Sequence, residues 1–319
     1  MKFIILSITF FSFLFSNNAI IELYRTGGIT SVELYLNEQL TKKSYWEGYL
    51  KTKSTQYGYY ESIEYIVTST KNNKEISILK NEDGNYKEVF NSPIITGEVD
   101  GDKRIEGDLK TPLGAYKLTQ KKTKLDQFYG PLALVTNYPN KFDRIQGKTG
   151  SGIWIHGMPF EGDRPPFTKG CIALENNKLT NLAQNLNINN AILIIYNNKI
   201  NESKEELALV LAELFSWKHA WQKNNLDGYL SYYSDEFIKS NGMRIKDFKR
   251  YKTRIFAKNE PKSILYKNIN IIPYPNSINK KMYHIEYFQD YKAPSFQSKN
   301  KKELYIEIID DRMQILFET

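Results

Sequence analysis

The sequence has few of the side chains that build disulfides and metal sites. It contains one cysteine, Cys171, and three histidines in 319 residues. A single cysteine excludes an internal disulfide, so this thiol is a bridge to another chain, an inert buried group or a reactive one. His219 and His284 have no second histidine or cysteine at ligand spacing, and CxxC, HExxH and Walker-type patterns are absent. We therefore predict no metal site and no cofactor.

Long apolar runs are also missing, except at the amino terminus. Residues 3–15 follow Met1-Lys2 and are apolar apart from serine and threonine, and residues 16–19 are small or polar. This run is shorter than the ~20 residues that cross a bilayer and has the pattern of a secretory signal peptide. We predict a signal peptide over residues 1–18, no membrane span elsewhere, and an exported protein.

Charge of one sign is not concentrated anywhere in the chain. The formal net charge is +8, but acidic residues are interspersed with the basic ones, which is typical of a solvated surface. No basic run is dense enough to indicate a nucleic-acid arm, so we predict no nucleic-acid partner.

Length and hydrophobic periodicity predict several structural units. A chain of 319 residues exceeds the usual size of one domain. Residues 19–61 have apolar side chains at three- and four-residue spacing, which indicates a short helical segment. We expect this segment to pack on the next domain or, in a homodimer, on a second copy of itself. Residues 62–198 contain many short strand-like runs with glycine and proline turns and one obvious helix from residue 175, the pattern of a mostly-β domain.

Residues 202–319 predict an α+β domain. Ser203 and Glu206 have the spacing of a capping box, and an apolar stripe at helical spacing follows from Leu207 to Trp221. Two shorter helices are expected over residues 226–238 and 245–256. Alternating runs then continue to residue 317, and helices followed by an antiparallel sheet are typical of the α+β class.

The reactive side chains of the sequence are concentrated between His156 and Cys171. A thiol nucleophile needs a base within hydrogen-bond reach, and this stretch supplies both, each beside a glycine. An imidazolium alongside, or the start of the helix at residue 175, would lower the pKa of the thiol. The backbone amides of Gly170 and Cys171 would hold an oxyanion. The pattern predicts a cysteine nucleophile that acts on an amide or peptide bond.

Three sequence blocks in this region form a recognisable set. The first is His156-Gly157, a loop, and then Thr-Lys-Gly-Cys-Ile at residues 168–172. The second has the form Lys-x-x-Glu-Gly-Asp-x-Lys-Thr-Pro-x-Gly at residues 103–114, and the third lies within residues 137–150. Together they resemble the L,D-transpeptidase (YkuD-type) catalytic domain over residues 62–198. The resemblance implies a β-rich fold and a triad of Cys171, His156 and the backbone carbonyl of Gly157.

The resemblance also implies a substrate and a compartment. The order of signal peptide, helical segment, catalytic domain and α+β domain is similar to that of L,D-carboxypeptidases, which trim peptidoglycan tetrapeptide stems to tripeptides in helical bacteria. The C-terminal part resembles NTF2-like domains. A member of this group would work in the periplasm on peptidoglycan stem peptides and influence cell shape. Its cysteine would attack the carbonyl before the terminal D-alanine, and water would resolve the acyl-enzyme.

One position departs from the family pattern. Many transpeptidases carry arginine two residues after the cysteine, where this chain has Ala173. This departure disfavours transpeptidation, which stays open as an alternative. An amidase that releases lipoprotein from peptidoglycan is a second alternative, because that branch has a similar Glu-Gly-Asp-x-Lys-Thr-Pro block. A wall-binding scaffold without catalysis is the third.

The charge of the implied substrate suggests which residues bind it. A stem peptide with two carboxylates needs cationic partners, and the matched blocks contain several. The candidates are Arg104, Lys110 and Lys148 for the carboxylates, Glu106 for the diaminopimelate amine, Trp154 for the pocket wall and Thr168 for the turn before the nucleophile.

Overall fold

The computed structural model describes the backbone of residues 5–319 and the side chains of residues 18–319. Of the predicted signal peptide, residues 1–18, the first four residues lie outside the described residues, and side chains are described only from the last one onward. Within the described residues, no helix is both long enough and apolar enough to cross a membrane.

The N-terminal segment packs on the far end of the chain. It forms α1 (Ile5–Leu40), which is kinked at Gly28, and α2 (Lys43–Leu50). The ring of Trp46 in α2 lies 5.2 Å from that of Phe215 in α5 (Lys204–Gln222). We expected contact with the next domain in sequence. The structure instead places α2 on the C-terminal domain, because α5 has more apolar surface than its own sheet covers and α2 packs on the remainder.

The middle of the chain forms a mostly-β domain around one eight-stranded sheet. Its central strand, Ala191–Tyr196, has the sequence AILIIY and is buried along its whole length, as expected for a strand covered on both faces. The strands are β2 (Tyr65–Thr70), β3 (Glu75–Glu82), β4 (Asn85–Pro93), β5 (Gly114–Lys122), β6 (Ala133–Thr136), β7 (Trp154–His156), β8 (Ile172–Ala173) and β9 (Ala191–Tyr196), in the spatial order β4-β3-β2-β9-β5-β6-β7-β8. The pairs β2–β9 and β7–β8 are parallel. Strands β7 and β8 therefore form one edge of the sheet.

Short helices connect these strands. They are α3 (Lys141–Ile145), α4 (Asn176–Gln184) and two 3-10 turns, Gln127–Tyr129 and Ile188–Asn190. Leu179 and Leu182 of α4 are fully buried in the same core as β7 and β8. This packing fixes the start of α4 close to the sheet edge.

The C-terminal domain packs helices on a six-stranded sheet. Besides α5 it contains α6 (Leu226–Leu230), α7 (Ile245–Phe256), β10 (Tyr233–Lys239), β11 (Ser263–Pro273), β12 (Met282–Ala293), β13 (Phe296–Ile309) and β14 (Arg312–Glu318). The order in the sheet is β1-β11-β12-β13-β14-β10, where β1 is the short strand Tyr59–Tyr60. A strand that precedes the middle domain in sequence thus completes the sheet of the C-terminal one.

The helix predicted over residues 226–238 is wrong beyond residue 230. Tyr233 and Phe237 are buried four positions apart, a helical spacing, yet they lie in β10. The strand pairs in parallel with β14, and the register shifts between residues 233 and 238. Such an irregularity breaks strict alternation and so disguises the strand. Pairing with a partner some 80 residues away overrides the local periodicity.

The two domains share an apolar interface. Phe142 of the middle domain stacks on Tyr305 of the C-terminal domain, with ring centroids 4.5 Å apart. The hydroxyl of Tyr274 donates to Asp143, at 3.0 Å. Ile192 and Ile194 of the central strand belong to the same apolar cluster. The C-terminal sheet thereby packs against the back of the sheet that carries the site.

Candidate active site

The predicted nucleophile and base lie on neighbouring strands. His156 is the last residue of β7, and Cys171 directly precedes β8. The two strands pair in parallel, with Ile155 opposite Ile172 and His156 opposite Ala173. The thiol is half-buried and lies 3.3 Å from the carbonyl oxygen of Gly152. Strand pairing therefore closes the fifteen-residue gap between the two side chains.

One hydrogen bond fixes the orientation of His156. Its Nδ1 lies 2.7 Å from the carbonyl oxygen of Gly157. A carbonyl only accepts hydrogen bonds, so Nδ1 carries the proton and Nε2 is left with a free lone pair. The ring of Tyr129 meets the imidazole edge-on, at 5.1 Å between centroids. The imidazole is therefore held in the tautomer that a general base requires.

The turn after His156 is held by Asn176, which sequence reasoning missed. Its side-chain oxygen accepts the amide of Met158 at 2.8 Å. A Cβ at Gly157 would lie 2.2 Å from the same oxygen, which leaves no space for a side chain. Gly157 also donates its amide to the carbonyl of Tyr129, at 2.9 Å. The sequence showed only a glycine after the histidine. The structure shows why glycine is required there: Asn176, the first residue of α4, occupies the space of a side chain.

Burial makes the resting pair neutral. It is the largest influence on both groups: it raises the pKa of the Cys171 thiol and lowers the pKa of His156 to about 4. A backbone hydrogen bond from Trp154 and the charges of Arg164 and Lys103 oppose the rise at Cys171 without cancelling it. At neutral pH the site therefore holds a thiol and a neutral imidazole.

This electrostatic state differs from our expectation of a lowered thiol pKa. We predicted a helix from residue 175, and α4 starts at Asn176, with β8 between this helix and Cys171. The dipole of a helix acts within its first turn, so α4 is too far along the chain to serve the thiol in that way. His156 is uncharged at neutral pH and supplies no positive field. The neutral imidazole is able to accept the thiol proton.

The turn that carries the nucleophile is built by Thr168 and Gly170. The Thr168 hydroxyl donates to the carbonyl of Cys171 at 2.6 Å and accepts the amide of Gly170 at 3.0 Å. Gly170 has φ of +124°, and a Cβ there would lie 2.7 Å from the carbonyl of Lys110. Thr168 thus shapes the turn from a buried position. Because the Gly170 amide is already engaged, the amide of Cys171 is the remaining candidate of the two predicted oxyanion donors.

The structure gives Lys148 a structural place and not a substrate-binding one. Its side chain is 2% exposed, and its Nζ lies 3.0 Å from both Asp102 and Asp143. Two buried carboxylates and one ammonium form a closed cluster under the 103–114 block. Sequence spacing cannot distinguish such a cluster from a binding cation. The correction follows from burial, because no ammonium hydrogen is left for a substrate carboxylate.

The other predicted substrate-binding residues have different surroundings. Arg104 and Glu106 are exposed on a loop that Asp108 organises by accepting the amides of Arg104 and Ile105. Lys110 is half-buried, and its backbone adjoins Gly170. Trp154 is half-buried beside Tyr129, with ring centroids 5.2 Å apart. Lys110 adjoins the turn that carries Cys171, and all four residues stay candidates for substrate binding.

Two further residues near the site were not predicted from the sequence. Tyr129 contacts both His156 and Trp154 through its ring. Arg164 lies in the loop between the base and the nucleophile, with its guanidinium 4.9 Å from the ring of Phe128. In the sequence, Arg164 is recognisable only as an arginine in the loop between His156 and Cys171, and the spacing of the motif says nothing about its role. Among the described residues, no group of three or more His, Cys, Asp and Glu side chains is placed to hold a metal ion.

Comparison with known proteins agrees with this architecture. A family model described as the L,D-transpeptidase catalytic domain (YkuD) matches residues 63–195. A second model, the Cds6 C-terminal NTF2-like domain, matches residues 209–319. No curated protein sequence matches the chain. The fold is thus a mostly-β YkuD-type catalytic domain followed by an NTF2-like domain, with a helical N-terminal segment, and the predicted fold class is confirmed.

Solved structures extend the likeness to most of the chain. The helical cell shape determining protein Pgp2 from Campylobacter jejuni is 41% identical, with a TM-score of 0.81, and the match covers 88% of this chain and 99% of that one. A point mutant of the same protein gives 40% identity and a TM-score of 0.83 over the same shares. This chain belongs to the YkuD-type L,D-transpeptidase family. Bd1075 from Bdellovibrio bacteriovorus, at 24% identity and a TM-score of 0.68 over 84% of this chain and 96% of that one, shares the fold.

Proposed function

We propose that this protein is a peptidoglycan L,D-carboxypeptidase, which removes the terminal D-alanine from tetrapeptide stems and leaves tripeptides. The observation that carries the proposal is the oriented imidazole of His156, with Nδ1 2.7 Å from the Gly157 carbonyl, on the strand beside Cys171. Membership of a family whose catalytic domain is an L,D-transpeptidase supports action on peptidoglycan peptides. The likeness to a protein that determines helical cell shape supports a role in cell shape.

The mechanism starts from the neutral pair. His156 Nε2 takes the thiol proton while the sulfur of Cys171 attacks the carbonyl of diaminopimelate. The backbone amide of Cys171 holds the oxyanion. When the C–N bond breaks, His156 returns the proton to the amine of D-alanine and a thioester remains. Water then attacks the thioester with His156 as base, which releases the tripeptide and restores the thiol.

The residue at position 173 supports hydrolysis over transfer. Ala173 is fully buried, and its backbone exchanges two hydrogen bonds with Ile95, at 2.8 and 2.9 Å. Many transpeptidases carry arginine here, and this buried position has no space for a guanidinium. An acceptor amine would therefore lack the cationic neighbour that such transpeptidases have. Transpeptidation is the second candidate, because the family model itself is named for that activity.

Location and assembly are further parts of the proposal. We propose export to the periplasm, which is supported by the signal-like pattern of residues 1–18 and by the position of the proposed substrate outside the cytoplasm. We also propose a homodimer through the N-terminal segment. Ile21, Tyr24 and Ile29 of α1 are each more than half exposed, and a second copy would cover them.

The test is a digest of purified disaccharide tetrapeptide with the chain lacking residues 1–18, read by mass spectrometry. We expect loss of one alanine. The Cys171→Ala variant should be slower by at least about 10³-fold, whereas Lys178→Ala, on the exposed face of α4, should match the unmodified chain. New cross-linked dimers, or exchange of an added D-amino acid, would mean transpeptidation. No change with any stem would favour the lipoprotein amidase or the scaffold.

A further inference from the structure

Two aromatic rings, those of Phe128 and Tyr129, connect Arg164 to His156. Its guanidinium covers the ring of Phe128 at 4.9 Å, and Phe128 is in edge contact with Tyr129, at 5.4 Å. Tyr129 in turn packs on His156 at 5.1 Å. The loop of Arg164 is tied to the same 3-10 turn, since the amide of Phe160 donates to the carbonyl of Gln127 at 3.3 Å. These contacts place the guanidinium of Arg164 on the aromatic cluster that packs against His156.

The guanidinium of Arg164 is left incompletely paired. Its Nη2 donates weakly to the carbonyl of Phe167, at 3.4 Å. Its Nε and Nη1 are buried and have no hydrogen-bond partner, and no carboxylate among the described residues forms an ion pair with it. The neighbouring buried cations differ, because Lys103 pairs with Asp108 at 2.7 Å and Lys148 with two aspartates. A buried donor without a partner is rare and calls for an explanation.

The charge of Arg164 reaches both reacting side chains. It opposes the larger effect of burial on the pKa of Cys171, and it adds to the effect of burial in lowering the pKa of His156. An arginine stays protonated at neutral pH even when partly buried. The positive charge of Arg164 therefore acts on both reacting side chains.

We propose that Arg164 binds the terminal carboxylate of the stem peptide and so restricts the enzyme to stems that end one residue after the scissile bond. This inference depends on the proposed function for its substrate. The carboxylate of the leaving residue is attached to the carbon next to the scissile nitrogen, so it must lie near Cys171 in any productive complex. A guanidinium is the preferred protein partner for such a group.

Binding requires the loop to shift. Nε and Nη1 are shielded from solvent in the structure, so a carboxylate reaches them only when the loop opens. Residues 160–163 and 165–166 on either side of Arg164 are exposed. Few buried contacts are therefore lost when these residues move.

The test compares a tetrapeptide stem with the same stem amidated at its terminal carboxyl. We expect the unmodified chain to prefer the free acid by roughly 10- to 100-fold in kcat/KM, as for a charge-assisted hydrogen bond. Arg164→Gln should lose this preference, because its kcat/KM for the free acid falls while its kcat/KM for the amidated stem changes less than about threefold. Arg164→Lys should recover part of it. Arg144→Gln, an exposed arginine on α3, is the matched control and should keep the preference.

A second measurement separates this inference from the proposed function. Binding of the two peptides to Cys171→Ala is compared with binding to the double variant Cys171→Ala/Arg164→Gln by calorimetry. If the intact chain cleaves neither peptide but the acid preference in binding depends on Arg164, the carboxypeptidase proposal fails and the role of Arg164 stands. Equal binding by both variants would overturn that role.

A third outcome is a different role for Arg164. Equal slowing of both substrates in Arg164→Gln, together with slower alkylation of Cys171 by iodoacetamide at each pH, would overturn carboxylate binding. It would mean that the guanidinium supports the thiolate. Thermal unfolding of each variant shows whether a loss of activity reflects a loss of fold.

Discussion

The two domains bury their polar groups in different ways. In the described part of the catalytic domain, residues 62–198, buried side-chain atoms without a hydrogen-bond partner occur only on Ser69 and Arg164. In the NTF2-like domain they include the ring nitrogens of Trp217, Trp221 and His284. Arg164 is therefore an exception in a domain that otherwise satisfies its buried groups. The contrast is a reason to read its free N–H groups as functional.

Buried lysines show the same contrast. Lys148 in the catalytic domain lies between Asp102 and Asp143, 3.0 Å from each. Lys252 in the NTF2-like domain has no ion pair among the described residues, and its Nζ lies 4.6 Å from the ring of Trp221 and 4.9 Å from that of Tyr229. Burial lowers the pKa of Lys252 to about 8. Carboxylates keep a buried ammonium charged, whereas aromatic faces offset only part of its desolvation.

The two buried histidines show what makes such a residue useful. His156 has Nδ1 satisfied by Gly157, which leaves Nε2 as a base. His284 stacks on Tyr305 at 4.3 Å, and neither of its nitrogens has a hydrogen-bond partner among the described residues. Burial lowers the pKa of both. Burial alone therefore does not distinguish the two histidines, whereas the oriented nitrogen of His156 on the strand beside Cys171 does.

The largest effect on stability should come from replacing Lys148, the buried lysine that is paired with two aspartates. We expect Lys148→Met to lower the free energy of unfolding by about 3–5 kcal/mol, because Asp102 and Asp143 are left as buried carboxylates without a cationic partner. Urea denaturation at pH 7 measures the change. Lys178→Met, exposed on α4, is the control and should change stability by less than about 0.5 kcal/mol. A loss below about 1 kcal/mol for Lys148→Met would show that the cluster relaxes or admits water.

The next effect concerns His156 and the pH dependence of activity. Because burial lowers its pKa to about 4, the imidazole is neutral and able to accept a proton at every pH well above 4. We expect kcat/KM for D-alanine release to stay level as the pH falls from 7 to 5 and to reach half its value near pH 4. Re-assay at pH 7 after incubation at pH 4 separates titration from unfolding. A midpoint near 6.5 would mean that the imidazole is hydrated in solution.

The smallest effect on stability should come from replacing Lys252, the buried lysine that is surrounded by aromatic rings. We expect Lys252→Met to change the free energy of unfolding by less than about 1 kcal/mol at pH 7, because no carboxylate loses its partner and a thioether packs well against rings. The folded chain releases the Lys252 proton near pH 8 and the unfolded chain near 10.5. Between these values the unfolded state binds more protons, so the native sequence should gain stability over the variant as the pH rises.

Denaturation of both chains at pH 7, 8, 9 and 10 measures that difference. A loss as large as that of Lys148→Met would remove the contrast between the two domains. A difference that does not depend on pH would mean that Lys252 stays protonated in the fold.

Local signals account for the parts of the site that were predicted. The sequence motif indicated Cys171, His156 and Gly157, because a cysteine nucleophile needs a thiol, a base and a glycine at fixed positions on two strands. The capping box at Ser203 and the helix Ile245–Phe256 were also readable, since caps and amphipathic spacing act within a few residues. β10 was not readable, because its partner β14 lies far away in sequence. Lys148 was misread because a buried cluster and a binding cation have the same sequence pattern.

The sequence by itself indicated the candidate residues for the chemistry and most of the segments that form helices and strands. Only the tertiary structure decided that the thiol and imidazole are neutral, that Asn176 holds the His156 turn, and that Arg164 has free donors beside the site. The physical reason is that burial and hydrogen bonding depend on atoms brought together from distant positions. Residue types fix what a side chain is able to do, and its surroundings fix its charge and orientation.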